Sequence, residues 1–371
     1  MQRCNFTKIS NPTKWLFKNS AKELFSSNSV QLMRKFSAVK EKKYSYLIET
    51  DELYNLIKNK KEYLLFDTSW YNIKVHKSEN LFNGGDQEEK IEGSINFDSV
   101  VTSNENSIFS FFFPTQSEFF TYLKELLTRN ETNIRKTSLE NIPIIFYEKD
   151  DIFYAPRIWF MFKIYGFKNV KILNGGLNKW LNEEKDTITS VEKESNIHII
   201  DKEKSKNVDK IIEEHLNKNE DEINNNLKTS IYYYLDIEKL IISKEKLQIT
   251  NYLLVDTRPN KFFSALLSIN EKEKKINNHI PFSINIPYHY FLNQHYETYK
   301  YVTFKNELEI KNILDKYGLL NEENVVILTC NKGISACVLL YLLHLLNKPL
   351  SKLIFNQGSF VEYAHYKYNI R

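Results

Sequence analysis

Asn324-Val325-Val326-Ile327-Leu328-Thr329-Cys330-Asn331-Lys332-Gly333-Ile334-Ser335-Ala336-Cys337-Val338-Leu339-Leu340-Tyr341-Leu342-Leu343-His344 is the stretch whose reading decides the fold. Its opening apolar run reads as a buried parallel strand, and residues 336–344 have the length and leucine content of a buried helix. Cys330 therefore falls on a tight strand-to-helix loop. Backbone N–H groups at a helix start have no internal partner and lie at the positive end of the helix dipole, so they stabilise a negative charge placed before them. Such a position favours an ionised thiol. Lys332 adds a fixed positive charge, and Gly333 lets the backbone turn inward without a Cβ in the way. The loop can cradle a thiolate, or a sulfur adduct on it, and attract an anionic substrate. A purely structural cysteine could follow the same core strand, but Lys332 and Gly333 inside the loop argue for chemistry. Phosphate chemistry is disfavoured by spacing: a cysteine-dependent phosphatase needs an arginine at the sixth position after the cysteine to grip phosphate with two N–H groups. That position here is Ala336.

Outward from this loop, 371 residues are enough for two ordinary domains, and 42% hydrophobic with 26% charged residues fits a globular protein. Three cysteines, Cys4, Cys330 and Cys337, build no disulfide framework, and no Cys/His cluster suggests a metal, so a reducing compartment and no cofactor are expected. The longest apolar span, 337–346, is interrupted by His344 and falls well short of the roughly 18 residues needed to cross a bilayer. The formal net charge of +4 is uneven: residues 1–40 hold eight Lys or Arg against Glu23, a surplus of +7, leaving 4 − 7 = −3 for the rest. The body therefore offers no nucleic-acid-binding surface. Residues 1–42 read as a mitochondrial targeting segment: Lys14, Lys18 and Lys22 share one helical face, Phe17, Ala21, Leu24 and Phe25 another, and serines follow. A disordered basic arm in a cytoplasmic protein is the alternative.

From Tyr44 strands alternate with helices. Strands are expected at 63–67, 142–147 and 170–173, and helices at 117–129, 154–165 and from Leu177, which argues for a parallel sheet covered on both faces. Residues 186–230 are rich in Glu, Lys, Asn and Asp; they read as a solvated polar linker with an insertion, helical at most around 208–216. The earlier order then returns. Leu253-Leu254-Val255-Asp256-Thr257-Arg258 mirrors Leu64-Leu65-Phe66-Asp67-Thr68-Ser69, and 26 residues after each aspartate comes a matching turn, Gly93-Ser94-Ile95-Asn96 or Phe282-Ser283-Ile284-Asn285. Asn174-Gly175-Gly176 is echoed by Asn356-Gln357-Gly358. The chain reads as an internal duplication of one α/β domain, with Glu148 standing where the second half has Cys330.

These residues resemble the two-domain rhodanese family, comprising thiosulfate and 3-mercaptopyruvate sulfurtransferases. The resemblance rests on Phe66-Asp67-Thr68-Ser69-Trp70-Tyr71, the run from Phe153-Tyr154-Ala155-Pro156-Arg157 to Phe162, Leu173-Asn174-Gly175-Gly176, Asp256-Thr257-Arg258 and the Cys330 loop. It implies tandem rhodanese-like domains, each a parallel sheet flanked by helices on both faces: 45–185 non-catalytic and 231–371 catalytic. It implies that Cys330 takes a sulfane sulfur as a persulfide and passes it to cyanide, thioredoxin, glutathione or another thiol. The loop from Asn331 through Lys332, Gly333 and Ile334 to Ser335 would hold the charged sulfur, and Arg258 would bind the donor's anionic group. Trp70, Phe153 and Tyr154 would wall the cleft. Cys337 reads as a packed residue. Thiosulfate enzymes resemble one another in C-R-K-G-V-T and mercaptopyruvate enzymes in C-G-S/T-G-V-T, so Lys332 favours thiosulfate, while Asn331 lacks that branch's arginine. Mercaptopyruvate enzymes also resemble one another in a histidine before the first I-P-G turn, and Lys90-Ile91-Glu92-Gly93 lacks it. The alternatives are a mercaptopyruvate donor, or a silent binding protein of the same fold.

Overall fold

The computed structural model describes residues 46–69, 89–98, 107–109, 111–130, 139–189, 202–246, 251–268 and 275–370. The targeting segment expected at 1–42, and Trp70, lie outside these residues.

The first half builds a five-stranded, all-parallel sheet from β1 (Leu47–Ile48), β2 (Leu64–Asp67), β3 (Ser94–Asn96), β4 (Ile144–Tyr147) and β5 (Val170–Leu173), in the spatial order β1-β5-β4-β2-β3. The second half builds another from β6 (Ile231–Tyr232), β7 (Tyr252–Asp256), β8 (Ile284–Asn285), β9 (Val325–Thr329) and β10 (Leu353–Asn356), in the order β6-β10-β9-β7-β8. The two orders are the same order, as the duplication in the sequence requires. Helices repeat it too: α1 (Thr50–Lys58), α2 (Gln116–Arg129), α3 (Ala155–Ile164) and α4 (Gly176–Asn182) in the first half. Beyond α5 (Lys202–Ser230), α6 (Tyr234–Glu245), α7 (Glu307–Lys316), α8 (Ala336–Leu345) and α9 (Ser359–Tyr368) take the corresponding places.

Alternation along each strand divides its side chains between two layers. Leu64 and Phe66 of β2 face a large core with α2 and α3, whereas Leu65 faces Leu53 of α1 and Leu177 and Trp180 of α4. In the second half Val326 and Leu328 of β9 enter the same large core, and Ile327 packs with Ile237 of α6 and Phe360 of α9. Each sheet is thus covered by helices on both faces, which is why its central strands are mostly apolar and buried. The large core is shared by the two halves, and Ser45–Arg371 is one compact unit.

The polar stretch expected as a solvated linker is instead largely a packed helix. In α5 Val208, Ile211, Ile212, His215, Asn219 and Ile223 are buried at helical spacing. His215 Nε2 meets the Tyr165 carbonyl at 2.9 Å and the Asn219 amide donates to the His215 carbonyl at 2.8 Å. The stripe is satisfied through hydrogen bonds where it is not apolar. Gly166 allows this close approach: it sits at φ +85°, and a Cβ there would lie 2.9 Å from that of Asn219.

Candidate active site

The sequence places Cys330 directly after β9 because an apolar strand must stop where α8 begins its first turn, and the structure does so: β9 ends at Thr329 and α8 begins at Ala336. Three neighbours fix the loop between them. The first is the start of α9, where the amides of Phe360 and Val361 donate to the carbonyls of Cys330 and Asn331, each at 3.1 Å. The second is Ser359, whose hydroxyl accepts the Cys330 amide at 3.1 Å and lies 3.8 Å from its Sγ. The third is the end of β7, where the hydroxyls of Thr257 and Ser335 meet at 2.9 Å.

Within the loop Cys330 is only 3% exposed, and the Gly333 amide donates to its sulfur at 3.1 Å. Gly333 has φ +79°; a Cβ would fall 2.5 Å from the Gln357 carbonyl oxygen and 2.8 Å from the Phe355 ring, so only glycine fits. Ile334 and Ser335 are buried, while Asn331 and Lys332 are exposed at the rim. Cys337 is fully buried, its thiol 3.8 Å from the Gly333 carbonyl, and burial pushes that thiol far up, which suits a packed residue.

Arg258 is placed differently from expectation. Its guanidinium grips the Asp256 carboxylate, Nη2 to Oδ2 at 2.6 Å and Nε to Oδ1 at 3.0 Å, donates to the Asn278 carbonyl and covers the Phe360 ring at 4.7 Å. Both groups are buried, so much of the charge is neutralised by its own strand. Phe153 leans on Tyr288 of the second half, ring centres 5.4 Å apart, and Tyr288 donates its amide to the Thr257 carbonyl. Phe153 thus reaches the second half through Tyr288, and the buried Tyr154 packs edge-on against Phe153. His279, the turn histidine, stacks on Phe263 at 4.0 Å and bonds its carbonyl at 2.8 Å, a structural setting.

The matching loop of the first half is filled from within. Glu148 Oε1 accepts the amides of Phe153, Tyr154 and Ala155 at 2.7, 2.8 and 2.8 Å. Burial pushes the carboxyl up to about 8, with the amides pulling the other way. In the first half these loop amides are taken up by the chain's own carboxyl, which burial favours in its neutral form near pH 7.

Two residues near Cys330 escaped the sequence reading. Ser359 follows the Asn356-Gln357-Gly358 echo, and nothing in its spacing marks it. Arg157 belongs to α3, yet its Nη1 donates to the Gly333 carbonyl at 2.9 Å. It sits in the aromatic-rich run 153–162, where spacing alone does not distinguish a buried arginine that reaches into the other half from a surface one. Among the described residues no group of three His, Cys, Asp or Glu is placed to hold a metal.

Comparison with known proteins adds to this geometry. The Rhodanese-like domain family model matches residues 49–183. Thiosulfate sulfurtransferase from Rattus norvegicus is 26% identical over 288 residues, covering 77% of this chain and 80% of its own. The human 3-mercaptopyruvate sulfurtransferase is 24% identical over 304 residues, covering 81% and 84%. Among solved structures, Tum1 from Saccharomyces cerevisiae has a TM-score of 0.59 at 19% identity, covering 86% of this chain and 95% of its own. SseA from Escherichia coli, described as a 3-mercaptopyruvate sulfotransferase, has a TM-score of 0.57 at 19% identity, covering 85% and 98%. Likeness at that identity speaks for the fold.

Proposed function

We propose, from the premise that the chain belongs to the two-domain rhodanese family of sulfurtransferases, that it moves a sulfane sulfur from thiosulfate to a thiophilic acceptor through a persulfide on Cys330. The observation that carries this reading is the Gly333 amide aimed at Cys330 Sγ at 3.1 Å beneath the exposed Lys332. The Cys330 thiolate attacks the outer sulfur of thiosulfate; the S–S bond of the donor breaks and sulfite leaves with the electron pair. Cyanide or a thiolate, such as that of thioredoxin or glutathione, then attacks the terminal sulfur and returns the electron pair to Cys330. On this reading the loop from Asn331 to Ser335 holds the charged sulfur between the steps, Phe153, Tyr154 and Trp70 wall the site, and the C-terminal half is the catalytic one.

Lys332 supports thiosulfate over mercaptopyruvate, because a dianionic donor gains more from a rim cation than a monoanion does. Asn331 favours the second reading, since it brings no further charge to the rim. Arg258 is a weaker donor anchor than its place at a strand end suggests, because Asp256 already occupies it. Residues 1–42 support a mitochondrial destination.

The test gives purified protein thiosulfate or 3-mercaptopyruvate in parallel with cyanide and reads thiocyanate, alongside Cys330→Ser and Lys332→Ser. Turnover with thiosulfate, abolished by Cys330→Ser and shifted toward mercaptopyruvate by Lys332→Ser, is expected. Turnover indifferent to the serine at 330 would overturn the mechanism, and none with either donor would favour a silent binding protein.

A further inference from the structure

Arg157 is a first-half residue that is 1% exposed, and its polar partners are two backbone carbonyls, Gly333 at 2.9 Å and Phe111. Its Nε is buried without a hydrogen-bond partner, and among the described residues its guanidinium N–H groups meet carbonyls rather than a carboxylate. The Phe113 and Phe355 rings lie 4.5 and 5.9 Å from the guanidinium carbon. Carbonyls and ring faces compensate only part of the cost of burying a full charge, so an anion is wanted there. Burial lowers the guanidinium to about 10, which leaves it protonated in any ordinary buffer.

Among the described residues, the titratable groups that face it are Cys337, Cys330 and Tyr154. Burial holds the Cys337 thiol far up and the Tyr154 phenol at about 12, so neither supplies a negative charge. Around the same loop, Lys332 points its charge to solvent, Arg258 is closed on Asp256, and Glu148 is held in its own nest behind Tyr154. Among the described residues, what remains is the sulfur of Cys330.

We infer that Arg157, supplied by the half without the nucleophile, is the counter-cation of the Cys330 sulfur, and that it positions the loop by holding Gly333 from its carbonyl side while the Gly333 amide faces Sγ. It is a positioning residue, acting by charge through the loop rather than by contact with donor or acceptor. This gives the first half a reason to be kept after its own loop lost the nucleophile: its helix α3 completes the electrostatics of the other copy.

The inference rests on Cys330 being the reactive sulfur, and its test does not need turnover. In a Cys4→Ser background, the rate of alkylation by iodoacetamide is followed against pH, with Cys330→Ser subtracted as the blank. Two neutral replacements, Arg157→Gln and Arg157→Met, are made so that one folded variant, judged by circular dichroism, is enough; Arg157→Lys keeps the charge. The neutral variants are expected to move the midpoint of the profile upward by about one pH unit or more, and Arg157→Lys to restore most of that shift. An unmoved midpoint in the neutral variants, or the same shift in Arg157→Lys, would overturn it. Failure of sulfur transfer in the unmodified protein, with the alkylation shift intact, would instead fall on the function proposed above.

Discussion

At the scale of single residues, the site depends on Gly333 doing three things at once: it turns the chain at positive φ, offers its amide to Cys330 and its carbonyl to Arg157. Adding one methyl group meets a backbone oxygen at 2.5 Å, which cannot move aside as a side-chain tip could. Gly333→Ala is therefore expected to cost about 1–3 kcal/mol of stability and most of the sulfur-transfer rate, read by chemical denaturation and by thiocyanate release. A fully active, equally stable alanine variant would show that the loop is looser than this. The placing of Cys330, Lys332 and Gly333 on one loop was legible from sequence, because an apolar strand and a leucine-rich helix close together leave a single short turn between them. Arg157 and Ser359 were not, because each reaches Cys330 from an element distant in the chain, and spacing carries no record of that approach. Arg258 shows the converse: its place at a strand end suggested a ligand, but an aspartate two residues earlier competes for the same guanidinium.

At the scale of elements, the strands expected at 63–67, 142–147, 170–173 and 324–329 and the helices at 117–129, 154–165 and 336–344 followed from apolar runs and helical periodicity, with ends displaced by a residue or two, whereas the stretches read as turns hold short parallel edge strands, Ser94–Asn96 and Ile284–Asn285. The larger departure is α5, whose buried stripe includes His215 and Asn219 and so hides from a hydrophobicity pattern. It packs on α2, α3 and β10, reaching from the first half to the second. Ile223 is fully buried on that stripe. Ile223→Ala should lower stability by about 2–5 kcal/mol in denaturant titration, and a change below about 0.5 kcal/mol would mean the helix is not part of the folded core.

At the scale of the whole molecule, the two halves form one compact unit, with Cys330 in the second half where the first has Glu148. Helices α3 and α8 cross at the seam, where Trp159 meets Tyr341 edge-on at 5.0 Å and the Tyr341 hydroxyl donates to the Tyr46 carbonyl at 2.9 Å. The Leu292–Tyr296 and Lys300–Phe304 hairpin reaches back to the first half, where the Asn178 amide donates to the Lys300 carbonyl at 2.6 Å. His344 sits in this seam between Tyr46 and Trp159, its Nε2 buried without a partner. Burial, aided by Lys163, lowers it from 6.5 to about 4. Between those values the unfolded chain binds the proton and the folded one does not, so this contribution is complete above pH 6.5 and is lost as pH falls toward 4. The fall in melting temperature from pH 7 to about pH 4.5 should therefore be steeper in the unmodified protein than in His344→Leu, and parallel curves would remove His344 from the account. The duplication itself was legible because both halves keep the same strand-end and turn signals; the shared core was not, since contacts between distant elements leave no periodicity in the sequence.

The central claim is that Cys330 carries the sulfur in transit, and it is tested most directly by the mass of the intact protein after exposure to thiosulfate and removal of excess donor. The account predicts a gain of one sulfur atom, mapped to the peptide holding Cys330, absent in Cys330→Ser and discharged by cyanide as thiocyanate. No gain in mass, or a gain that survives the serine substitution, would contradict it.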